Sequence, residues 1–344
     1  MKPYDRVYNR LQGKPVDRAP NLNILMAFAA KFIDIPLDKF CTDYKYLTRA
    51  NIKCNEAFGI DMLNTMSDPF REAADFGAEV IFPYDNLPLC KKRFLEDYSD
   101  IKKLKIFKPI DSKRMLDRIH AIEYYKQETG NNYSILGWVE GSLAEAADLR
   151  GVSNFMEDFY DEPEFAKELM TICLEEGVIC AKEQIKAGAD FIGIGDAVAS
   201  LLSPAMYLEF VLPFEQKLIK EIHDNGAKVK LHICGNISHL LDHIRLSGAD
   251  IIDIDHMVDY KTSVSKLKGF ASVNGNMDPV SIVNQGTPET VKKAVYECLL
   301  SGDEYSFISS GCEIPKSTPN ENLKAVDLAL NEYADITKGV TGVN

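Results

Sequence analysis

Two cysteines and one histidine form the most informative group of potentially reactive residues in the chain. His232 and Cys234 are separated by one residue in the sequence His-Ile-Cys-Gly, and Cys312 follows Cys234 by 78 residues. Residues i and i+2 of a β-strand point to the same face, so the imidazole and the first thiol can share one site. Two thiolates and an imidazole suit Zn²⁺ and leave a fourth position for water or a substrate. The structural alternative is a core histidine beside buried thiols, which is the commoner explanation of an isolated His-x-Cys pair.

Further polar residues follow predicted strands and are candidates for binding or catalysis. Glu140 is the best internal candidate for a fourth, displaceable metal ligand, with a hydrogen-bond acceptor as the alternative. Asp196 closes the sequence Gly-Ile-Gly-Asp, which lacks the third glycine of a dinucleotide-binding turn, so we expect it to orient a substrate or a ligand imidazole. Asn276 lies in the sequence Gly-Asn-Met-Asp-Pro, where capping a turn is the alternative to a site role. The role of Asp255 with His256 stays open.

Eight short β-type segments alternate with helical segments along the chain. Helix starts are indicated at Pro163, at Ser203-Pro204 and at Thr287-Pro288, because Ser and Thr cap helices and proline fits the first turn. Strands that alternate with helices predict right-handed βαβ units, and eight of them favour a closed (β/α)₈ barrel, an α/β fold, over an open sheet. The predicted strands are residues 21–26, 78–83, 134–139, 191–194, 228–234, 251–254, 270–273 and 305–309.

The barrel predicts where the candidate residues meet. Reactive groups of such barrels lie at the carboxyl ends of the strands, so we expect the histidine, the two cysteines and Glu140 at one mouth. No Ser/Gly-rich linker or change of composition divides the chain, and we therefore expect a single barrel domain over residues 1–344. Residues 86–132 are too many for one loop and predict additional helices beside the barrel.

Composition narrows the classes of partner. The 344 residues carry 39 Lys and Arg against 52 Asp and Glu, a net charge of −13, which argues against nucleic acid and anionic membrane surfaces. We find no stretch of about 18 apolar residues and no apolar core of a signal peptide, so we expect a cytoplasmic protein. The eight cysteines lack the spacing of a disulfide framework. Neither a GxxxxGK[ST] loop, an HExxH helix nor a GxSxG elbow occurs.

The same residues resemble a known family over nearly the whole chain. They are similar to the uroporphyrinogen decarboxylase superfamily, and specifically to its cobalamin-dependent methyltransferase branch. The resemblance implies a (β/α)₈ barrel with N-terminal and additional helices, and zinc bound by the histidine and the two cysteines. It is carried by residues 14–20 (KPVDRAP), 188–190 (GAD), 195–196 (GD), 203–204 (SP) with Tyr207, 232–236 (HICGN), 275–279 (GNMDP) and 311–312 (GC).

That resemblance implies methyl transfer between a corrinoid (cobalamin) and a small substrate. With a thiol substrate, zinc is expected to hold the thiolate that accepts the methyl group. With a methyl ether, zinc is expected to stabilise the departing alkoxide or phenolate while the corrinoid takes the methyl group. Residues 25–32 are apolar, which favours an apolar or aromatic methyl ether as the donor.

A separate corrinoid protein is the expected partner. The chain lacks Asp-x-His-x-x-Gly, the pattern by which many corrinoid domains present a histidine to cobalt, and it offers no second domain to hold the cofactor. We therefore expect the corrinoid to arrive on another protein that docks transiently on the carboxyl-terminal face of the barrel.

Two alternatives belong to different classes of protein. A true uroporphyrinogen decarboxylase shares the barrel and the Gly-Asn-Met-Asp-Pro turn, but it grips its polycarboxylate substrate with N-terminal arginines. This chain has no arginine between Arg18 and Arg49, and burying substrate carboxylates without cationic partners is costly. A zinc-binding sensor without turnover is the second alternative, because a fold does not fix a function.

The first prediction concerns the metal. We expect about one zinc ion per chain, because two thiolates and one imidazole form a site that favours it. Cys234→Ser and Cys312→Ser should each lose metal and activity while staying folded, as judged by metal analysis and circular dichroism. Full zinc occupancy in the Cys312→Ser protein would remove that residue from the site.

Overall fold

A curled parallel sheet occupies the centre of the protein, and helices cover its outer face. The computed structural model describes the backbone of residues 1–341 and the side chains of residues 1–337. The strands are β1 (Met62–Asn64), β2 (Glu79–Ile81), β3 (Leu89–Lys92), β4 (Ser134–Glu140), β5 (Phe191–Gly195), β6 (Lys228–His232), β7 (Ile251–Asp253), β8 (Ser272–Met277) and β9 (Phe307–Ser310). Seven of them form one parallel sheet in the order β1, β4, β5, β6, β7, β8 and β9.

The helices surround this sheet. Within the described residues they are α1 (Pro3–Leu11), α2 (Met26–Phe32), α3 (Leu37–Thr42), α4 (Tyr44–Phe58), α5 (Arg71–Phe76), α6 (Arg114–Thr129), α7 (Ser142–Arg150), α8 (Val152–Asp161), α9 (Pro163–Ala187), α10 (Pro204–Met206), α11 (Leu212–Asp224), α12 (Leu241–Ile244), α13 (Tyr260–Leu267), α14 (Pro288–Ser301) and α15 (Asn320–Thr341). The 3₁₀ turns are Tyr98–Lys103, Pro109–Asp111 and Ala197–Leu201, and the π-helical segments are Tyr207–Val211 and Pro279–Asn284. None of these helices is both long enough and apolar enough to span a bilayer.

Asn21 closes the barrel between the last strand and the first. It forms an isolated parallel bridge with Ile308 of β9, beside which the backbone N–H of Leu22 donates to the Ile308 carbonyl at 2.9 Å. On the other side, the Asn21 carbonyl accepts from the backbone N–H of Asp61, next to β1, at 2.9 Å. The predicted α/β barrel is thus confirmed, with the expected first strand reduced to this single bridge.

The strand predicted at residues 78–83 lies outside the barrel. Its core, β2, pairs antiparallel with β3 in a hairpin, because β-propensity predicts an extended segment but does not determine which sheet it joins. The barrel position belongs instead to β1, whose three residues are too few to show an alternating pattern. Most of the segment 21–26 does not form a strand either, because only Asn21 makes a β-bridge and α2 begins at Met26.

The predicted helix starts are confirmed by their capping contacts. The Ser203 hydroxyl accepts from the backbone N–H of Met206, and Thr287 forms a reciprocal capping box with Thr290. Pro163 occupies the first turn of α9. The stretch 86–132 contributes the strand β3, two 3₁₀ turns and only one α-helix, α6, which packs against β4 as a helix of the barrel wall.

The inside of the barrel changes from apolar to polar toward the carboxyl ends of the strands. At the amino-terminal end, Val7 of α1 packs with Leu136, Phe191 and Phe307, which face inward from three strands. Register then aligns Glu140, Gly195, His232, Asp253 and Asn274 across β4 to β8. One polar layer therefore lies directly below the mouth.

Two buried arginines stabilise the closure at Asn21. Arg6 and Arg18 reach the same carboxylate, that of Asp61, at 2.5 and 2.8 Å. The second oxygen of Asp61 also accepts from the backbone N–H of Asn21 at 2.8 Å. Because all three charged side chains are buried, each charge depends on the others for compensation.

Asp61→Asn should destabilise the protein strongly. Removing the carboxylate leaves the two buried guanidinium groups with only the partly exposed Asp17, at 2.6 Å from Arg6, and Asp327, at 3.4 Å from Arg18, for which we expect a loss of about 3 kcal/mol in the free energy of unfolding. Asp17→Asn is the matched control: it removes another partner of Arg6, but from a partly exposed position, and should lower the free energy by about 1 kcal/mol or less. Urea denaturation of both variants checks this. Equal effects would contradict the role given to Asp61.

Candidate metal centre at the mouth of the barrel

Three side chains converge beyond the carboxyl ends of the strands. His232 ends β6, and Cys234 and Cys312 each lie two residues past the end of a strand. His232 Nε2 lies 3.0 Å from the sulfur of Cys234 and 3.9 Å from that of Cys312, and the sulfurs are 3.7 Å apart. Tetrahedral metal–ligand bonds of about 2.0–2.3 Å separate ligand atoms by about 3.3–3.8 Å, and the three observed separations lie within about 0.3 Å of that range, so the group can hold one ion. In the described part of the chain, no other group of three His, Cys, Asp or Glu comes this close.

The local sequence explains why the thiols reach this point. Strand alternation turns His232 into the barrel, and the chain leaves the strand at Ile233. Gly235 then adopts a φ of +85°, a conformation that glycine takes without a Cβ clash, and the chain turns back at the mouth. A Cβ on Gly235 would also lie 3.3 Å from the hydroxyl of Ser200, so the turn packs closely under the loop after β5.

A buried carboxylate holds the histidine. His232 Nδ1 lies 3.2 Å from Oδ2 of Asp253, its register partner on β7. Asp253 is in turn ion-paired with Lys230 and accepts from the Asn274 amide at 2.8 Å. An N–H donated from Nδ1 to a carboxylate fixes the imidazole tautomer and leaves Nε2 free for a metal ion.

The neighbours of each ionisable group determine its charge. Burial alone would raise the pKa of Asp253, but Lys230 and His232 lower it to about 2. Burial opposes a charged imidazole, yet Cys234 and Asp253 raise the pKa of His232 above its usual range. A hydrogen bond between the thiols lowers the pKa of Cys312 to about 4 and raises that of Cys234. The lowered pKa favours the thiolate form of Cys312, which is the form that binds a metal ion.

Glu140 lies in the same layer, two strands from His232. Register joins it to Gly195 and Gly195 to His232, and neighbouring strands are about 4.8 Å apart. Its Oε1 accepts from the indole N–H of Trp138 at 2.9 Å. Burial, followed by repulsion from Glu72, raises the pKa of Glu140 well above its usual range. Glu140 is outside the three-residue group, and its role as a fourth ligand stays a prediction.

Asp196 is fully buried behind the mouth. Its Oδ1 accepts from the backbone N–H of Ala144 in the first turn of α7, at 2.9 Å. Burial and the nearby Glu215 raise its pKa well above its usual range. These contacts are those of a residue that fixes the start of a helix. The role predicted for Asp196, orienting a substrate or a ligand imidazole, stays a prediction.

Asn276 lies within β8 and holds a neighbouring loop. Its side-chain amide donates to the carbonyls of Asp255 and Val258, at 3.1 and 2.6 Å. The alternative role for Asn276 was capping a turn, and the capping in this segment is performed by Asp278, which accepts from the backbone N–H groups of Val280 and Ser281. A direct role of Asn276 toward a substrate stays a prediction.

Three residues of the site were not identified from the sequence. Asp253 and Lys230 form the support beneath His232, and a lysine two residues before His232, on the same face of a predicted strand, was the available signal for them. Glu313 directly follows Cys312, and burial together with that cysteine raises its pKa to about 7. Its Oε2 is buried and has no hydrogen-bond partner.

The apolar stretch 25–32 belongs to the core. Phe28 of α2 is buried and packs against Phe58 of α4, with ring centroids 5.7 Å apart, and Phe32 packs on the same ring at 4.9 Å. Helix packing therefore explains these residues without a substrate, and the preference for an aromatic methyl donor stays a prediction.

Comparison with known proteins identifies the family. The family model described as uroporphyrinogen decarboxylase (URO-D) matches residues 2–333, so the chain belongs to that family. The methylcobamide:CoM methyltransferase MtbA of Methanosarcina mazei is 26% identical over 336 residues, which cover 96% of this chain and 98% of that protein. The resemblance to this family and to its corrinoid methyltransferases is thereby confirmed.

Two further similarities concern the family and the fold. The methylated-thiol–coenzyme M methyltransferase of Methanosarcina mazei is 28% identical over 341 residues, covering 96% of this chain and 90% of that protein. A solved structure described as a methyltransferase from Methanosarcina mazei superimposes with a TM-score of 0.89 at 22% identity, covering 97% of this chain and 99% of the other. The structural match confirms the barrel fold.

Asp253→Asn should weaken the binding of a divalent metal ion about 10–100-fold, because the variant loses the charge that orients His232. Asp250→Asn is the matched control: Asp250 also contacts a histidine and a lysine, His223 at 2.7 Å and Lys228 at 2.9 Å, but it precedes β7 at the far end of the barrel. Competition with a zinc chelator measures both affinities. Unchanged affinity in Asp253→Asn would contradict the supporting role of this carboxylate.

Proposed function

We propose that this protein is a zinc-dependent methyltransferase that moves a methyl group between a corrinoid, carried by a separate protein, and a small substrate. The observation that carries the proposal is the convergence of His232, Cys234 and Cys312 at the barrel mouth. It occurs in a chain that aligns, over 96% of its length, with a relative named a methylcobamide:CoM methyltransferase. We assign the metal as zinc because two sulfur donors and one imidazole nitrogen match its preferred ligands.

Each residue of the mouth has a separate task in this proposal. Zinc bound there supplies Lewis-acid stabilisation of negative charge on a substrate sulfur or oxygen. Asp253 keeps the His232 imidazole in one tautomer, and Lys230 keeps Asp253 ionised in the barrel interior. Glu140 lies in the same layer with a raised pKa, and we assign it a hydrogen bond to the substrate.

A thiol is the substrate that we favour. The site is suited to hold a sulfur as thiolate, which is the nucleophilic form. The names of two relatives include coenzyme M, and one of them also includes a methylated thiol. A methyl ether donor is the second possibility, and the packing of Phe28 in the core removes the observation that had favoured it.

The face around the mouth is suited to a protein partner. Loops that follow β5, β7 and β8 expose Leu201, Met257 and Val280, whose side chains are 66%, 57% and 48% exposed. Ser200, next to Leu201, lies over the turn that carries Cys234. We propose that a corrinoid protein docks on these loops, so that the docked cofactor covers the mouth and excludes water from the transferred methyl group.

The contacts of Arg18, the N-terminal arginine, do not support the decarboxylase alternative. Arg18 is buried, pairs with Asp61 at 2.8 Å, and donates to the carbonyls of Ala19 and Gly59. Its charge is therefore compensated by Asp61 within the protein and does not face a substrate carboxylate. We expect no conversion of uroporphyrinogen to coproporphyrinogen, and steady formation of that product would overturn the proposed reaction.

The direct test of the proposed reaction follows the absorption spectrum of the corrinoid. We expect the zinc-loaded protein to demethylate methylcobalamin when a suitable thiol is present, and Cys312→Ser to lose this activity. A panel of thiols and methyl ethers, assayed in both directions, identifies the substrate class. No spectral change with any donor or acceptor, in zinc-loaded wild-type protein, would favour a sensor without turnover.

Leu201→Glu should weaken docking without changing the chemistry. A charge in an apolar contact raises KM for the corrinoid protein, and we expect the rate with free cobalamin to stay that of the wild type. Leu300→Glu is the control, because Leu300 is 73% exposed near the end of α14, on the opposite side of the barrel. An equal effect of both variants, or none of either, would contradict docking at the loop after β5.

A further inference from the structure

We propose that Asp255 is a positioning residue that sets the separation of the two thiols, an inference that rests on the proposed metal site and deepens it. Cys234 and Cys312 leave different strands, β6 and β9, which are not neighbours in the sheet. Some element must therefore hold the two turns at a fixed distance. The loop that follows β7 lies between them and contacts both.

The side chain of Asp255 holds the first turn. Its Oδ2 accepts from the backbone N–H of Gly235, the residue after Cys234, at 2.9 Å. Asp255 is buried, so this charge-assisted hydrogen bond is shielded from water. The contact fixes the backbone at the point where the chain reverses after Cys234.

The backbone of the same loop supports the second turn. A Cβ on Gly311, the residue before Cys312, would lie 2.3 Å from the backbone nitrogen of His256 and 2.9 Å from the carbonyl carbon of Asp255. The φ of Gly311 is outside the left-handed region, so a left-handed backbone does not explain the glycine. Close approach to the Asp255–His256 backbone is thus the reason that glycine is required here.

Three further contacts anchor the loop itself. His256 Nδ1 lies 2.6 Å from Oδ1 of Asp255, and its Nε2 lies 3.7 Å from Oδ2 of Asp278. The amide of Asn276 donates to the Asp255 carbonyl at 3.1 Å. Asp255 is therefore tied to β8 and to the segment after it, so the element that contacts both thiol turns is itself held to the barrel.

The test measures metal binding in place of catalysis. Gly311→Ala and Asp255→Asn are loaded with Co²⁺, whose sulfur-to-metal charge-transfer absorption increases with the number of bound thiolates. We expect each variant to lose part of this absorption and to bind Zn²⁺ about tenfold or more weakly in chelator competition. Asp259→Asn is the matched control, because Asp259 lies on the same loop but caps α13 through the N–H of Thr262 at 2.8 Å. Its affinity and absorption should equal those of the wild type.

The outcomes separate this inference from the proposed function. Melting temperatures of the metal-free variants show that they are folded, and Gly311→Ala tests the backbone contact without removing any polar group. Full charge-transfer intensity and wild-type affinity in both variants would overturn the positioning role and leave the metal site intact. Equal weakening in Asp259→Asn would overturn it as well. Wild-type protein that binds neither ion would overturn the metal site itself.

Discussion

The contact between the Asp253 carboxylate and the His232 imidazole is the interaction on which the mouth of the barrel depends. A carboxylate in a barrel interior is stable only if its charge is compensated, and Lys230 and the Asn274 amide provide that compensation. The parallel register of β6 and β7 places the two residues side by side. A slip of either strand by one residue would turn its own side chain to the outer face, so the site depends on this register.

Closure of the barrel brings the second cysteine into the same place. The segment at Asn21 joins β9 to β1, and the Asn23 side chain then accepts from the backbone N–H of Ser310, two residues before Cys312, at 2.7 Å. Asp61, with its two arginines, holds this segment in the core. Barrel stability and the position of Cys312 are therefore coupled through a few polar contacts.

Much of the site could be predicted from residue types and spacing. His232, Cys234 and Cys312 converge as expected, because strand alternation and the rule that strands end at one mouth determine where they lie. The residues that support His232 could not be predicted to the same extent. The pairing of Asp253 with His232 depends on the register of β6 and β7, which cannot be inferred from a local sequence pattern.

Two other interpretations were limited for the same reason. Residues 78–83 were correctly predicted to be extended, but their partner is β3 in a local hairpin, and β1 was too short to detect. Phe28 and Phe32 form a helix face that packs on Phe58. The sequence of an apolar segment does not show whether the segment lines a binding site or fills the core. Such distinctions require the tertiary structure.

The most direct measurement of the central claim is X-ray absorption at the zinc edge, with and without a thiol substrate. The account predicts two sulfur atoms and one imidazole nitrogen from the protein around each zinc ion, and a third sulfur atom when the thiol binds at the open position. A zinc environment without sulfur, or one whose sulfur count does not change with any thiol that is methylated, would contradict it.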